Sequence, residues 1–202
     1  MFPTIKSVLS SLILLATSAA MAQTGAPTRL RGKIDTIDSQ TATMTTREGK
    51  SVKLAISKDT QFSYVKAMQL ADIKSGTFIG AAGKPGKDGA IEALEVVVFP
   101  EDRRGTGEGH YAWDLLPDSS MTNATVAAVT QGSSGQDLNL VYKDGSKKVT
   151  VPKGTPIVTI VNGQASDVKP GVPVFIVAVQ REAGEFSASR IIVGKDGVAP
   201  PM

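Results

Sequence analysis

The sequence predicts an all-β chain of two tandem, five-stranded OB-like barrels, each with a short helical segment between its third and fourth strands. Three observations carry that expectation. A block of turn and apolar residues occurs twice at a fixed spacing, and within each block large apolar residues alternate with polar ones. The 20 Gly and 11 Pro punctuate these blocks at short intervals, as turns between strands require.

The duplication is explicit in the residues. Ala71-Asp72-Ile73-Lys74-Ser75-Gly76 recurs as Ser166-Asp167-Val168-Lys169-Pro170-Gly171, and Ile91–Val98 recurs as Phe186–Val193. Thr60 matches Thr155, and Leu54 and Ile56 match Val149 and Val151, all at an offset of 95 residues. Further upstream, Gly49 matches Gly145, while Ile34 and Ile37 match Val126 and Val129. The offset thus drifts only at turns, where insertions are tolerated.

In the first copy, residues 27–100, strands are expected over 29–38 and 41–46. Glu48-Gly49-Lys50 then turns the chain into Val52, Leu54 and Ile56, spaced by two. Residues 66–73 are expected to hold the helical segment, with Met68, Leu70 and Ile73 on its apolar side and Gly76 as its stop. Strands over 78–82 and 91–99, joined by the glycine-rich turn 83–89, complete the copy. The second copy, 121–196, repeats the order with 124–129, 138–142, 147–151, a short segment before Asp167, 174–179 and 186–193; residues 197–202 form a tail. Closing each sheet into a barrel removes aggregation-prone edges. Domains of about 75 residues bury little surface, so the copies are expected to lean on one another.

Residues 101–120 join the copies. The stretch has the Gly, Pro and charge of a linker, yet it holds the only Trp, the only His and one of three Tyr. An ordered linker is expected, with Trp113 laid along one barrel or wedged between both.

The first 22 residues read as a signal peptide. Lys6 precedes the apolar run 8–16, and Ala20-Met21-Ala22 supplies a small-x-small site for cleavage after Ala22. The run is shorter than the roughly 20 apolar residues needed to span a bilayer. The mature protein is therefore expected in the periplasm or secreted, and not membrane-spanning after cleavage.

Composition narrows the chemistry. With no Cys, disulfides, thiolate metal sites and thiol nucleophiles are excluded, and one His excludes a multi-His metal centre. A net charge of +3 is too mild to point to nucleic acid. Gly105-x-Gly107-x-Gly109 lacks the spacing and strand–helix context of a dinucleotide loop, and Gly83-Lys84 and Gly86-Lys87 lack the remaining residues of a phosphate loop. No Ser–His–acid arrangement stands out. Neither an enzyme nor a bound cofactor is expected.

Two constellations compete as sites. Glu108, His110 and Asp114, within a run that also holds Glu101, Asp102 and Asp118, could supply oxygens and one imidazole to a divalent metal. In the competing reading the acids pair with Arg103 and Arg104, and His110 and Trp113 pack where the barrels meet. The second constellation is basic: Lys84 and Lys87 at a hairpin tip, with Arg29, Arg31 and Lys33 on the first strand. The loop between the last two strands borders the usual ligand face of OB-type barrels, so if a partner binds there it is expected to be an anionic glycan, an envelope polymer or an envelope protein. Solvated charged turns serving solubility are the leading reading of these residues. The corresponding tip of the second copy, Arg181-Glu182-Ala183-Gly184-Glu185, is mixed in charge.

The paired units Ala71–Gly76 and Ser166–Gly171, each followed by a valine-rich last strand, resemble exported bacterial proteins with a small β-barrel domain of unknown function, the DUF5666-like family. The joining stretch 107–126 resembles a subset whose members often carry the automatic label "metal ABC transporter permease". A permease needs several spanning helices, so for this chain the label implies at most an accessory role near a transporter. The resemblance defines no catalytic residues. The leading expectation is a non-enzymatic periplasmic binding or scaffolding module. An accessory metal-binding protein and an envelope-polymer-binding protein are the alternatives.

Overall fold

The computed structural model describes residues 26–132, 135–181 and 185–201. The signal-peptide reading and residues 182–184 of the second copy's tip lie outside the described residues. The structure is all-β. The first copy supplies β1 (Pro27–Ile37), β2 (Thr41–Thr46), β3 (Ser51–Ala55), β4 (Gln61–Ala67), β5 (Phe78–Pro85) and β6 (Ile91–Val98). The linker contributes β7 (Gly109–Ala112). The second copy supplies β8 (Ser120–Gln131), β9 (Gly135–Tyr142), β10 (Gly145–Pro152), β11 (Ile157–Asn162), β12 (Pro173–Gln180) and β13 (Phe186–Val193). Alternation explains the strands: in β2, Ala42, Met44 and Thr46 are buried and the threonines between them are more exposed. Its β-branched threonines also favour extended backbone.

The strand pairing does not follow the repeat boundaries, which departs from the expectation of one barrel per copy. The meander β1–β2–β3 is closed by the hairpin of the other copy. β1 lies antiparallel to β12, with Pro27 opposite Val179, and β3 lies parallel to β13. Reciprocally, β8–β9–β10 is closed by β5 and β6, through antiparallel β5–β8 and parallel β6–β10 pairings. The physical reason is equivalence. Both copies present the same edges, so a hairpin makes the same hydrogen bonds on either meander. The Gly76 N–H donates to the Val126 carbonyl at 2.8 Å, and the equivalent Gly171 N–H donates to the Ile34 carbonyl at 2.7 Å. Both glycines take left-handed backbone, φ +87° and +83°.

A two-stranded ribbon carries each hairpin across. β4 and β11 pair antiparallel with Val65 opposite Ile160, two residues equivalent by the 95-residue offset, so a pseudo-two-fold axis passes between them. β4 continues beside β13 and β11 beside β6, both parallel. The irregularities are duplicated too: register shifts fall at Ile34/Thr36 and Val126/Ala128, and at Ala82/Gly83 and Val177/Ala178.

The helical segments expected before Gly76 and Gly171 are corrected. β4 runs to Ala67, and its main-chain groups bind β11 and β13. Only single 3-10 turns remain, at Leu70–Asp72 and Ala165–Asp167. Each is closed by its aspartate, which accepts the N–H of Gln69 or Gln164 at 2.8 Å.

Among the described residues, three apolar clusters fill the interior. Ile34, Met44, Leu54, Ile176 and Ile191 fill one circuit, and Ile79, Val126, Leu138, Leu140 and Val149 the other. Between them, Val65, Val97, Ile160, Phe175 and Ile192 form a third, against which Phe99 at the end of the first copy and Trp113 and Leu115 of the linker pack. Among the described residues, no helix is long and apolar enough to cross a membrane.

Candidate functional site

The structure separates the three residues read as metal ligands. Glu108 Oε1 accepts the Lys143 N–H at 3.1 Å. β7 pairs with β8 so that His110 stands opposite Thr122, and its Nδ1 lies 2.9 Å from the threonine hydroxyl. Asp114 instead pairs with Arg31 at 2.8 Å and Arg29 at 3.9 Å. Burial lowers the His110 pKa, and the nearby positive charge of Lys147 lowers it further. Among the described residues, no group of three or more acid or histidine side chains is assembled that could hold a metal.

The basic constellation is divided as well. Arg29 and Arg31, on β1, lie over the Trp113 ring at 4.0 and 5.9 Å from its centroid, and Arg31 also lies 5.2 Å from that of Phe175. These arginines fasten the linker to the sheet. Lys84 and Lys87 are exposed at the end of β5, in the other circuit.

The two linker arginines behave differently. Arg104 holds Glu101 through Nε and through Nη2 at 2.7 Å, and donates to the Gly76 carbonyl at 2.9 Å. The hydrogen bonds from Arg104 to Glu101 keep the Glu101 carboxyl below the usual carboxylate range. Arg103 turns to the end of the central ribbon, where Ser63 and Asn162 are cross-strand partners. Its Nη2 donates to Asn162 Oδ1 at 2.6 Å and to Ser63 Oγ at 3.3 Å. Its Nη1 is buried without a hydrogen-bond partner among the described residues.

Arg190 meets Arg103 at this place. It stands on β13 opposite Gln61 of β4 and donates to Gln61 Oε1 at 3.2 Å. Partial burial lowers its pKa, and the positive charge of Arg103 adds to the effect. Both arginines line a cleft of about 520 Å³, shared with Gln61, Phe62, Asp102 and Asn162. Among the described residues neither arginine forms an ion pair. Two guanidinium groups are thus held near one another, partly out of water, and the hydrogen bonds they make go to neutral acceptors, although the Asp102 carboxylate lines the same cleft.

The pseudo-two-fold axis supplies a control. The positions equivalent to Gln61, Phe62, Asn162, Gly163 and Arg190 are Pro156, Ile157, Ala67, Met68 and Glu95. The backbone is the same at both ends: the Gly163 N–H donates to the Phe62 carbonyl at 3.0 Å, and the Met68 N–H to the Ile157 carbonyl at 2.9 Å. The polar set therefore comes from side chains placed on one end of a symmetric scaffold. The signal for it in the sequence is the opposite charge of Glu95 and Arg190 at equivalent positions of otherwise matching strands.

Among known proteins, no family model, no curated protein and no solved structure matches this chain.

Proposed function

We propose that the chain is a non-enzymatic exported binding module, built of two strand-exchanged OB-type barrels, that holds an anionic ligand in the Arg103–Arg190 cleft. The OB-type reading is supported by the strand order: a three-strand meander joined to a two-strand hairpin and closed by a parallel pair. Export and the likeness to DUF5666-like proteins rest on the sequence features described above. One observation carries the anionic ligand: two neighbouring, partly buried guanidinium groups without an ion pair among the described residues. Like charges held at reduced solvation disfavour one another, and an oxyanion accepting from both offsets that cost.

This reading moves the anionic ligand from the hairpin tip to the repeat junction. It is tested by the salt at which the protein elutes from a carboxylate-bearing matrix. Arg190→Gln should elute distinctly earlier than the unaltered protein. Lys84→Gln, which removes the same charge elsewhere, should shift elution less. Equal shifts would mean that net charge alone governs retention, and the cleft would lose its assignment.

A further inference from the structure

We propose that the cleft recognises an acidic sugar of the uronic acid class, taking its carboxylate on Arg103 and Arg190 and its hydroxyl groups on the surrounding polar side chains. The inference rests on the anion-binding reading above and adds the ligand's class. Guanidinium forks match the planar geometry of a carboxylate and bind it through paired N–H groups. A bare oxyanion would leave most of the cleft unused. Its volume of about 520 Å³ falls within the range of about 300–1,000 Å³ usual for small-molecule sites.

Beside Arg104, which is paired with Glu101, several other lining residues suit a polyol. Asn162 and Gln61 each commit the amide oxygen to an arginine, which leaves each NH2 as a donor for a sugar oxygen. Asp102 lines the same cleft and, as a carboxylate, only accepts. A sugar hydroxyl can donate to it, and a doubly charged phosphate beside it would be repelled more strongly than a singly charged carboxylate. Phe62 offers an apolar wall to the C–H face of a ring. At the opposite end of the β4–β11 ribbon, related by the pseudo-two-fold axis, proline, isoleucine, alanine and glutamate stand in place of Gln61, Phe62, Asn162 and Arg190. The set that would recognise a sugar acid is therefore confined to one end.

Calorimetric titration of the full-length protein with D-glucuronate, D-glucose, acetate and sulfate tests the assignment. Glucuronate should bind at least about tenfold more tightly than glucose or acetate, about 1.4 kcal/mol or more. Arg190→Gln should weaken glucuronate by a similar factor. Asp102→Asn should weaken glucuronate relative to acetate, because acetate has no hydroxyl to donate and is only relieved of the carboxylate's repulsion. Arg103 bridges both strands of the ribbon, so Arg103→Gln is read only if its melting temperature matches the parent; Arg190→Gln and Asp102→Asn decide the matter without it. If acetate or sulfate binds as tightly as glucuronate and is lost in Arg190→Gln, the uronate assignment falls and a simple oxyanion site remains. If no anion binds, or Arg190→Gln changes nothing, both readings fall.

Discussion

The two ends of the β4–β11 ribbon share a backbone and differ in what they hold. At one end Ser63 and Asn162 face each other beneath Arg103, and Arg190 stands beside Gln61. At the other, Val158 faces Ala67, and buried Glu95 occupies the position equivalent to Arg190. Residues that set backbone geometry were kept in both copies: the Asp72 and Asp167 caps, the Gly76 and Gly171 turns and both bulges. Residues that meet at the junction diverged. A duplicated scaffold can thus hold its fold through one set of positions while another set acquires chemistry on one side only.

Breaking the shared part should have the largest effect. Leu54 is 0% exposed in one circuit, and Leu54→Ala should cost about 2–5 kcal/mol by the usual range for core truncations. Because each circuit draws strands from both copies, chemical denaturation should still show a single transition. Two resolved transitions would mean that the circuits unfold independently despite the exchange.

The equivalent caps offer a finer test. Asp72→Ala and Asp167→Ala should each cost on the order of 0.5–2 kcal/mol, as lost caps do. Asp167 also pairs with Lys195 at 3.4 Å, so its loss should cost no less than that of Asp72. A clearly larger effect at Asp72 would show that the two turns are not energetically equivalent.

Acid sharpens the same comparison. The Asp167 carboxyl is held below the usual carboxylate range by the Gln164 N–H first and Lys195 after it, and Asp137 by the Thr150 hydroxyl and then Lys148. A lowered folded pKa contributes stability that is present above the ordinary carboxylate value and lost as pH falls through the folded value. The denaturation midpoint should therefore decline on the acid side, and Asp167→Asn should flatten that decline. An unchanged slope would remove Asp167 from the account.

The smallest stability effect belongs to the divergent part. Without ligand, Arg190→Gln removes one of two neighbouring positive charges, so the melting temperature should stay the same or rise slightly. A fall of several degrees would make Arg190 a structural residue and not a ligand-binding one.

The all-β class was legible in the sequence, because the repeat and the buried alternation are local patterns. The exchange was not. Alternation in β1 or β12 says which face is buried, but equivalent copies make identical edges, and nothing local distinguishes a sister hairpin from a chain's own. The helical expectation over 66–73 rested on Met68, Leu70 and Ile73, whose spacing suits a helix face. The alternation of Ser63 and Val65, both buried, was the competing and correct signal. At the site, charge counting grouped Arg103 with Arg104. Only Arg104 finds a carboxylate, since the turn at Glu101–Arg103 aims the two side chains at different elements. Arg29 and Arg31 were legible as a pair, but what they serve is Trp113 and Asp114.

The crossed closure also sets an order in time. A chain made from its N-terminus presents β1–β3 long before β12 and β13 exist, since Pro27 must wait for Val179 and Leu54 for Phe186. Until then the first meander has an unpaired edge, and such edges recruit other chains. Pairings so distant in sequence also fold slowly, because loop closure must precede the contacts that reward it. β5 and β6 face the same delay, though a shorter one, until β8 arrives. A nascent molecule is therefore an aggregation-prone intermediate, dependent on whatever shields its first three strands until the last two emerge.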